Sequence, residues 1–318
     1  MVALPPRPNP GDNPWDLRPH LIALEQGIEG LRSEVIDRTG PVVNIKNYAS
    51  LRAACDALPS SGGTVIVPPG RWPAGVSSLS NVMTKGNVRI IGEQLPMYAP
   101  DLSTLYGGSI IEGRFYVFAD GFSIDKIGFD CGKAVCESLY PGRPYNAGTH
   151  PDGGGWDGFA FLRPTAGATS ARRNVHIGDV MALLHSPQTW GHAILIEAIQ
   201  SGTVGNVVGI GGVHAVAFKS RGMRVNSLTG WASSGNGVIL KSDSYAVCGE
   251  LQIGSVHYWP HPPDTAPWWG EGATAGAGLH FNPESANFVG SVQINQVTVG
   301  GAAIGISVSD EPGFSLAD

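Results

Sequence analysis

The sequence predicts an all-β protein folded as a right-handed parallel β-helix, and three observations support this prediction. Glycine is abundant, with 45 residues among 318, while only 14% of the residues are charged. Short runs of valine, isoleucine and phenylalanine alternate with glycine-rich turns, as is typical of a protein with many short strands. One short strand also returns at a spacing of 22 residues, and a period of this length is typical of a solenoid.

The repeat is clearest in three segments of the same pattern, at 193–197, 215–219 and 237–241. The pattern recurs upstream and downstream, at 158–162, 278–282 and 303–307. Because side chains alternate across a strand, each repeat contributes two inward residues. The first predicted ladder contains Phe159, Ile194, Val216, Val238, Leu279 and Ile304. The second contains Phe161, Ile196, Phe218, Leu240, Phe281 and Ile306.

A second alternating strand accompanies each repeat, at 174–178, 206–210, 251–256 and 292–297. A single coil cannot bury an apolar ladder by itself, so consecutive coils must stack on one another. A β-propeller is the structural alternative, but its repeats are about twice as long and need four strands each. The short period therefore favours the β-helix.

Two segments precede the repeat and suggest a division into an N-terminal region, 1–40, and a β-helix domain, 41–318. The first 16 residues are rich in proline, asparagine and glycine and are interpreted as an extended attachment arm. A heptad seam follows, which predicts a short coiled-coil helix that self-associates through Leu17, Leu21, Leu24, Ile28, Leu31 and Val35. The residue types along this seam lean slightly toward a two-stranded coiled coil.

The start of the β-helix domain carries a recognisable motif. Residues 49–58 predict a short amphipathic helix, which Gly62 and Gly63 end before the strand at 64–67 and the Pro69-Gly70 turn. This segment resembles the opening of pectate-lyase-superfamily β-helix proteins, in which the helix caps the solenoid. The arm and heptad look like the virion-attachment end of actinobacteriophage minor tail proteins. That resemblance implies a phage tailspike type of protein and a parallel homotrimer.

Composition and charge exclude several functions. A net charge of −6 gives no reason to expect nucleic-acid binding, which normally needs a basic face. No apolar run reaches about 18 residues, so no membrane insertion is expected. The N-terminus has no run of signal-peptide length, so no export signal is expected. Four cysteines are too few for a disulfide scaffold; Cys55 and Cys248 are predicted to be buried, and Cys131 and Cys136 to be a reduced pair.

The sequence contains few candidates for catalysis. Glycoside hydrolysis needs two carboxyl groups about 5–10 Å apart, one protonated and one ionised. Glu197 faces no second acid in the repeat alignment, and its position beside Lys219 favours a surface ion pair between coils. Asp152 and Asp157 are a weak candidate pair, although aspartate next to glycine more often belongs to a turn.

Aromatic residues are concentrated in two predicted insertions. The first, 132–157, contains Trp156, and the second, 257–271, contains Tyr258, Trp259, Trp268 and Trp269. Aromatic rings can contact sugars, and proline-rich loops hold them rigidly. These residues are therefore candidates for glycan or protein contact. The alternative is that the loops pack on a neighbouring coil or subunit.

Neither a metal nor a cofactor is expected. The nine histidines do not form a ligand spacing, and prolines around His257 and His261 prevent a helix that would bring these two together. The glycine-rich run at 209–212 is not followed by a predicted helix, so it is interpreted as a corner and not as a nucleotide loop.

These observations leave three functional hypotheses. The first is a virion tail component, assembled in the host cytoplasm, that contacts host-surface glycan or neighbouring tail proteins and is held on the tail by its N-terminal arm. The second is a polysaccharide depolymerase, either a hydrolase or a lyase. The third is a purely structural baseplate or tail-tip element. The scarcity of acid clusters favours binding or structure over catalysis.

Overall fold

The computed structural model confirms a parallel β-helix. It describes residues 40–75, 82–132, 157–161, 171–184, 191–231, 233, 235–242, 248–259, 276–283, 288–302 and 304–308. The heptad seam, the attachment arm and most of the two aromatic insertions lie outside these residues. Within the described residues, no helix is long and apolar enough to cross a membrane.

Three parallel sheets form the faces of the solenoid. The first sheet begins with the strands Val42–Asn44, Gly63–Val67, Val88–Gly92, Ser123–Asp125 and Val175–Ile177. The second begins with Gly70–Pro73, Ser109–Glu112, Ile127–Cys131 and Val180–Leu184. Four longer strands then run through both of these sheets: Gly202–Gly211, Arg221–Trp231, Cys248–Trp259 and Phe288–Val299.

The third sheet is separate and contains the repeat that the sequence revealed. Its strands are Phe115–Val117, Phe159–Phe161, His192–Glu197, His214–Lys219, Val238–Ser242, Ala277–Pro283 and Ile304–Val308. Their register pairs Ile194 with Val216 and Phe218 with Leu240, and all four side chains are fully buried. The two inward ladders are therefore confirmed from Phe159 to Phe281.

The last strand departs from the sequence alignment by two residues. Leu279 pairs with Ile306 instead of Ile304, and Phe281 pairs with Val308. A shift of two residues keeps every side chain on its predicted face, so alternation alone could not reveal it. Ile304 and Ile306 are 51% and 47% exposed, so they are not buried as the ladders predicted.

The predicted capping helix closes the start of the solenoid. It spans Leu51–Ala57, after a 3-10 helix at Ile45–Asn47. The Ser50 side chain accepts a hydrogen bond from the Ala53 backbone at 3.1 Å and caps the helix N-terminus. At the other end, the Lys85 ammonium donates to the carbonyls of Cys55, Asp56 and Leu58 at 2.9, 2.8 and 2.6 Å.

The outer face of the third sheet is apolar and buried. Its central column contains Tyr116, Ala160, Leu195, Ala217 and Ile239, each between 0 and 6% exposed. Alternation directs these side chains away from the core between the sheets. These five positions of the outer face are therefore not accessible to a large ligand.

The outer face of the second sheet is covered in part by a small antiparallel hairpin, Met97–Tyr98 with Leu105–Tyr106. An apolar cluster under the hairpin is formed by Leu102, Leu105, Ile110, Met181, Leu183 and Ile210. The predicted burial of Cys55 is confirmed, and this burial raises the pKa of its thiol to about 12. Cys131 is buried as well, while Cys136 and the side chain of Cys248 lie outside the described residues.

Candidate functional site

The most distinctive exposed feature of the described residues is an aromatic surface on the second sheet, formed by Tyr98, Trp231 and Trp259. Trp231 and Trp259 end two adjacent parallel strands and are in register with one another. Paired residues on neighbouring strands lie about 5 Å apart, so the two indoles project from the same side of the sheet. Tyr98 reaches the same side from the hairpin.

The three rings differ in exposure. Tyr98 and Trp231 are half-buried and contact each other, with ring centroids 5.2 Å apart and planes inclined by 46°. Trp259 is 41% exposed. Its indole lies above Gly300 of the next coil, where a Cβ would come within 2.8 Å of Cε3. The glycine thus provides the space in which the indole can lie across the coil.

A buried carboxylate, Asp130, holds the hairpin in place beside these rings. Asp130 is fully buried and accepts hydrogen bonds from Arg71 Nη2 at 2.7 Å, Thr104 Oγ1 at 2.8 Å and the Leu105 backbone at 3.1 Å. Its other oxygen accepts from the Gly132 backbone at 2.8 Å. A buried carboxylate with four donors is well compensated, so this group has a structural role in positioning the hairpin.

The structure corrects the interpretation of Tyr258 as a contact residue. The aromatic content predicts an insertion that begins at 257, but the strand continues to Trp259. Alternation therefore places Trp259 outward and Tyr258 inward, where it is 1% exposed. Gly237 leaves room for the Tyr258 ring, since a Cβ there would lie 2.1 Å from Cδ2. Trp156, Trp268 and Trp269 lie outside the described residues.

Asp157 is placed at the corner between the second and third sheets, in contact with His192. Its Oδ1 lies 2.9 Å from the His192 backbone nitrogen and 2.8 Å from the ring Nδ1. Burial alone would raise the pKa of Asp157, but the hydrogen bonds and charge of His192, together with the charge of Arg114, lower it. Asp157 is therefore held as a carboxylate and is unsuited to act as a general acid. Asp152 lies outside the described residues.

The same corner continues into a column of polar side chains. The rings of His192 and His214 lie 5.6 Å apart. Nδ1 of His214 accepts a hydrogen bond from the Asn236 backbone at 3.1 Å, and Oδ1 of Asn236 accepts from the Ala277 backbone at 2.8 Å. Burial lowers the pKa of His214 to about 3, and the charges of His192, Lys241 and His280 act in the same direction. His214 is thus a neutral structural residue.

Glu197 pairs with Lys219 in register, as the repeat predicted, and the two charged groups lie 3.6 Å apart. Their side chains are only 12% and 13% exposed, so the expected surface ion pair is in fact mostly buried. The reason is the covered outer face of the third sheet, which the sequence did not reveal.

Among the described residues, no group of three or more histidine, cysteine, aspartate or glutamate side chains could hold a metal ion. The described carboxylates considered for catalysis, Asp157 and Glu197, each contact a basic side chain. Both of these carboxylates therefore make structural contacts within the described part of the chain.

Sequence reasoning missed Tyr98 and Trp231, which complete the aromatic surface. A signal was present for Trp231, because it ends an alternating strand in the same way as Trp259 does one coil later. Trp231 lies outside both aromatic-rich insertions, so aromatic content alone does not identify it. Tyr98 comes from a hairpin far from both tryptophans in the sequence, and no local pattern linked it to them.

The described chain is thus a parallel β-helix protein with an outward aromatic surface. No protein-family model and no curated protein matches the sequence. Among solved structures, the A-module of the mannuronan C-5 epimerase AlgE6 from Azotobacter vinelandii is 14% identical with a TM-score of 0.32. That match covers 84% of this chain and 99% of the module.

A second similar structure is the DFA-IIIase of Arthrobacter chlorophenolicus A6. Its complex with GF2 is 14% identical, with a TM-score of 0.31 and coverage of 81% of this chain and 76% of that one. The form without its lid is also 14% identical, with a TM-score of 0.31 and coverage of 90% and 88%. With similarity this low, function has to be argued from the residues of this chain.

Proposed function

We propose that this protein is a virion tail component of the tailspike or minor-tail type that binds a glycan of the host envelope through Tyr98, Trp231 and Trp259. The single observation that carries the binding role is the pair of tryptophans in register, of which Trp259 is 41% exposed. A large indole left in water is unfavourable, so contact with a partner that covers it is stabilising.

The chemistry beside the rings suits a sugar. Thr229, His257 and Thr298 form the neighbouring outward column of the same sheet, in register with one another and half-buried. Tryptophan and tyrosine present apolar ring faces, while threonine and histidine offer hydrogen bonds. A sugar ring has an apolar face edged with hydroxyl groups, so it can use both columns at once.

The rigidity of the surface also favours binding. Trp231 and Trp259 lie on strands paired on both sides, and Tyr98 lies on the hairpin that Asp130 fixes. Rings that are already ordered lose little conformational entropy when a ligand binds. This preorganisation supports a recognition surface more than a flexible loop would.

The virion and trimer parts of the proposal depend on the N-terminal region. The heptad seam at 17–35 supports self-association, whereas the virion and trimer parts rest on the resemblance of the arm and heptad to actinobacteriophage minor tail proteins. In this arrangement the arm and heptad attach the protein to the tail, and the β-helix presents its aromatic surface outward.

The test is to measure, by titration calorimetry, the binding of the full chain to polysaccharide extracted from actinobacterial envelopes. Trp259→Ala should lower the affinity about tenfold, since an aromatic contact contributes on the order of 1–2 kcal/mol. Ile304→Ala is the matched control, because Ile304 is also about half exposed but lies on the third sheet. Light scattering of the same sample should give the mass of three chains.

Two outcomes would contradict the proposal. If Trp259→Ala and Ile304→Ala bind as tightly as the wild type, the aromatic surface is not the binding site. If the wild type instead releases reducing ends from the polysaccharide, the protein is a depolymerase and not only a binding protein. A monomer mass at micromolar concentration would overturn the trimer.

A further inference from the structure

A polar groove on the first sheet lies apart from the aromatic surface. Its volume is about 410 Å³, and it is lined by Arg224, Gln252, Gly254, Gln293 and Asn295, with Val225 and Ile253 beneath. Arg224, Gln252 and Gln293 are in register on three consecutive coils. All three are exposed, so they form one outward column across the groove.

One of the lining residues, Gly254, lies at a position where the coils approach each other closely. The register places Gly254 between Asn226 of the preceding coil and Asn295 of the following one. Asn226 leans away from this gap, because its Nδ2 donates to Asn206 at 2.7 Å. A Cβ at Gly254 would lie 2.5 Å from the Asn226 carbonyl oxygen, so the position has to be glycine, and the groove is lined there by backbone next to the Asn295 side chain.

The side chains that line the groove suit an oxyanion such as a carboxylate or phosphate. Arg224 supplies a permanent positive charge and planar donors, and the amides of Gln252, Gln293 and Asn295 can donate or accept. Within the described residues, no carboxylate lies within ion-pairing distance of Arg224. Guanidinium groups bind carboxylate and phosphate oxygens with two parallel hydrogen bonds.

We propose that this groove is a second binding site, which takes a carboxylate or phosphate group carried by a hydroxyl-rich chain. Arg224 binds the oxyanion, and the three amides bind the hydroxyl groups on either side of it. The site deepens the proposed function, because the inference that the bound hydroxyl-rich ligand is a glycan rests on that function. The oxyanion site itself depends only on the groove.

The experiment titrates the full chain with three probes. Hyaluronan hexasaccharide carries carboxylates, a glycerol-phosphate oligomer carries phosphodiesters, and maltohexaose is neutral. Arg224→Gln should weaken binding of the charged probe about tenfold or more, a factor that corresponds to about 1.4 kcal/mol, and leave maltohexaose binding unchanged. Gln252→Glu should have the same effect, because it places a like charge beside the ligand.

Arg89→Gln is the matched control. Arg89 is an exposed arginine in the same outward column of the first sheet but lies coils away from the groove. Binding of the hyaluronan alone, of the phosphodiester alone or of both supports the site and identifies the group that it prefers. The proposal is overturned if neither charged probe binds, if Arg224→Gln and Gln252→Glu bind as the wild type does, or if Arg89→Gln weakens binding equally.

The two proposals can fail separately. Trp259→Ala should not change binding of the charged probe in the groove. If the envelope polysaccharide does not bind while a charged probe does, the proposed function fails and the groove stands. If the polysaccharide binds and Arg224→Gln has no effect on the binding of either charged probe, the groove proposal fails and the proposed function stands.

Discussion

The middle coils and the last described coil of the solenoid use the same strand pattern with very different results. In the middle coils, Val216, Phe218, Val238 and Leu240 are fully buried. In the last coil, Ile304 and Ile306 occupy the equivalent strand and are about half exposed. The middle strands pair on both sides, whereas Ile304–Val308 pairs on one side with Ala277–Pro283 within the described residues. The same residue types are therefore buried in the core in one coil and partly exposed on an edge strand in another.

The comparison shows what a repeat pattern does and does not determine. Alternation determines which face a residue occupies, and that held in every coil from Phe159 to Phe281. The burial of an inward side chain depends on a neighbouring coil on each side of it, and the sequence of a single strand does not show whether both neighbours are present. The pattern correctly predicts buried residues in strands that pair on both sides, and it overestimates the burial of Ile304 and Ile306 in the last described strand.

The largest expected effect is in the middle coils. Phe218→Ala removes a fully buried ring between Ile196 and Leu240 and leaves a cavity. Such a change typically lowers the free energy of unfolding by about 3–5 kcal/mol. Chemical denaturation of the wild type and the variant measures the difference. A variant as stable as the wild type would show that the middle coils are not a close-packed core.

An intermediate effect is expected from pH, at His214. The pKa of His214 is about 3 in the folded protein, below its ordinary value of 6.5, so the unfolded chain binds a proton that the folded chain does not. Stability contributed by neutral His214 is therefore lost as the pH falls from 6.5 toward 3. The loss is at most about 1.4 kcal/mol for each pH unit in this window.

The measurement compares unfolding of the wild type and His214→Asn between pH 6.5 and 4.5. The asparagine oxygen can still accept the hydrogen bond from the Asn236 backbone but does not titrate, so the variant should show the flatter profile. Asp157 does not interfere, because its pKa is lowered from 3.8 and its contribution is lost only below that value. Parallel profiles for His214→Asn and the wild type would contradict the assignment.

The smallest effect is expected in the last coil. Ile306→Ala should change the free energy of unfolding by no more than about 0.5 kcal/mol, the usual range for exposed positions away from special features. Leu279→Ala is the matched comparison, since Leu279 pairs with Ile306 but is fully buried. Equal losses for the two variants would show that the last coil is as well packed as the middle ones.

Much of the fold could be predicted because its physical causes are local. The capping helix at Leu51–Ala57 and the strand at Gly63–Val67 follow from amphipathic and alternating patterns. The pairing of Ile194 with Val216 follows from the period. The two-residue shift at Ile304 could not be predicted, because a shift of two leaves the alternation unchanged.

The candidate site was less predictable because it is assembled from distant segments. The sequence predicts Trp259 as a contact residue, but Tyr98, which contacts the neighbouring Trp231, lies on a hairpin that Asp130 holds in place. Tyr258 is adjacent to Trp259 in sequence and was assigned the same role, yet the continued strand turns it inward. Aromatic content identified a region, and strand register decided which rings reach the surface.

The Lys85 contact with the capping helix stabilises the first described coil against local unfolding. Each coil touches only its neighbours, so fraying starts at an end and not in the middle. At the start, one ammonium group ties down three carbonyls of a helix up to 30 residues earlier in the chain. Among the described strands, Ile304–Val308 leaves Ile304 and Ile306 partly in water. A ligand bound at Trp259 would stabilise the coil that carries this residue by mass action.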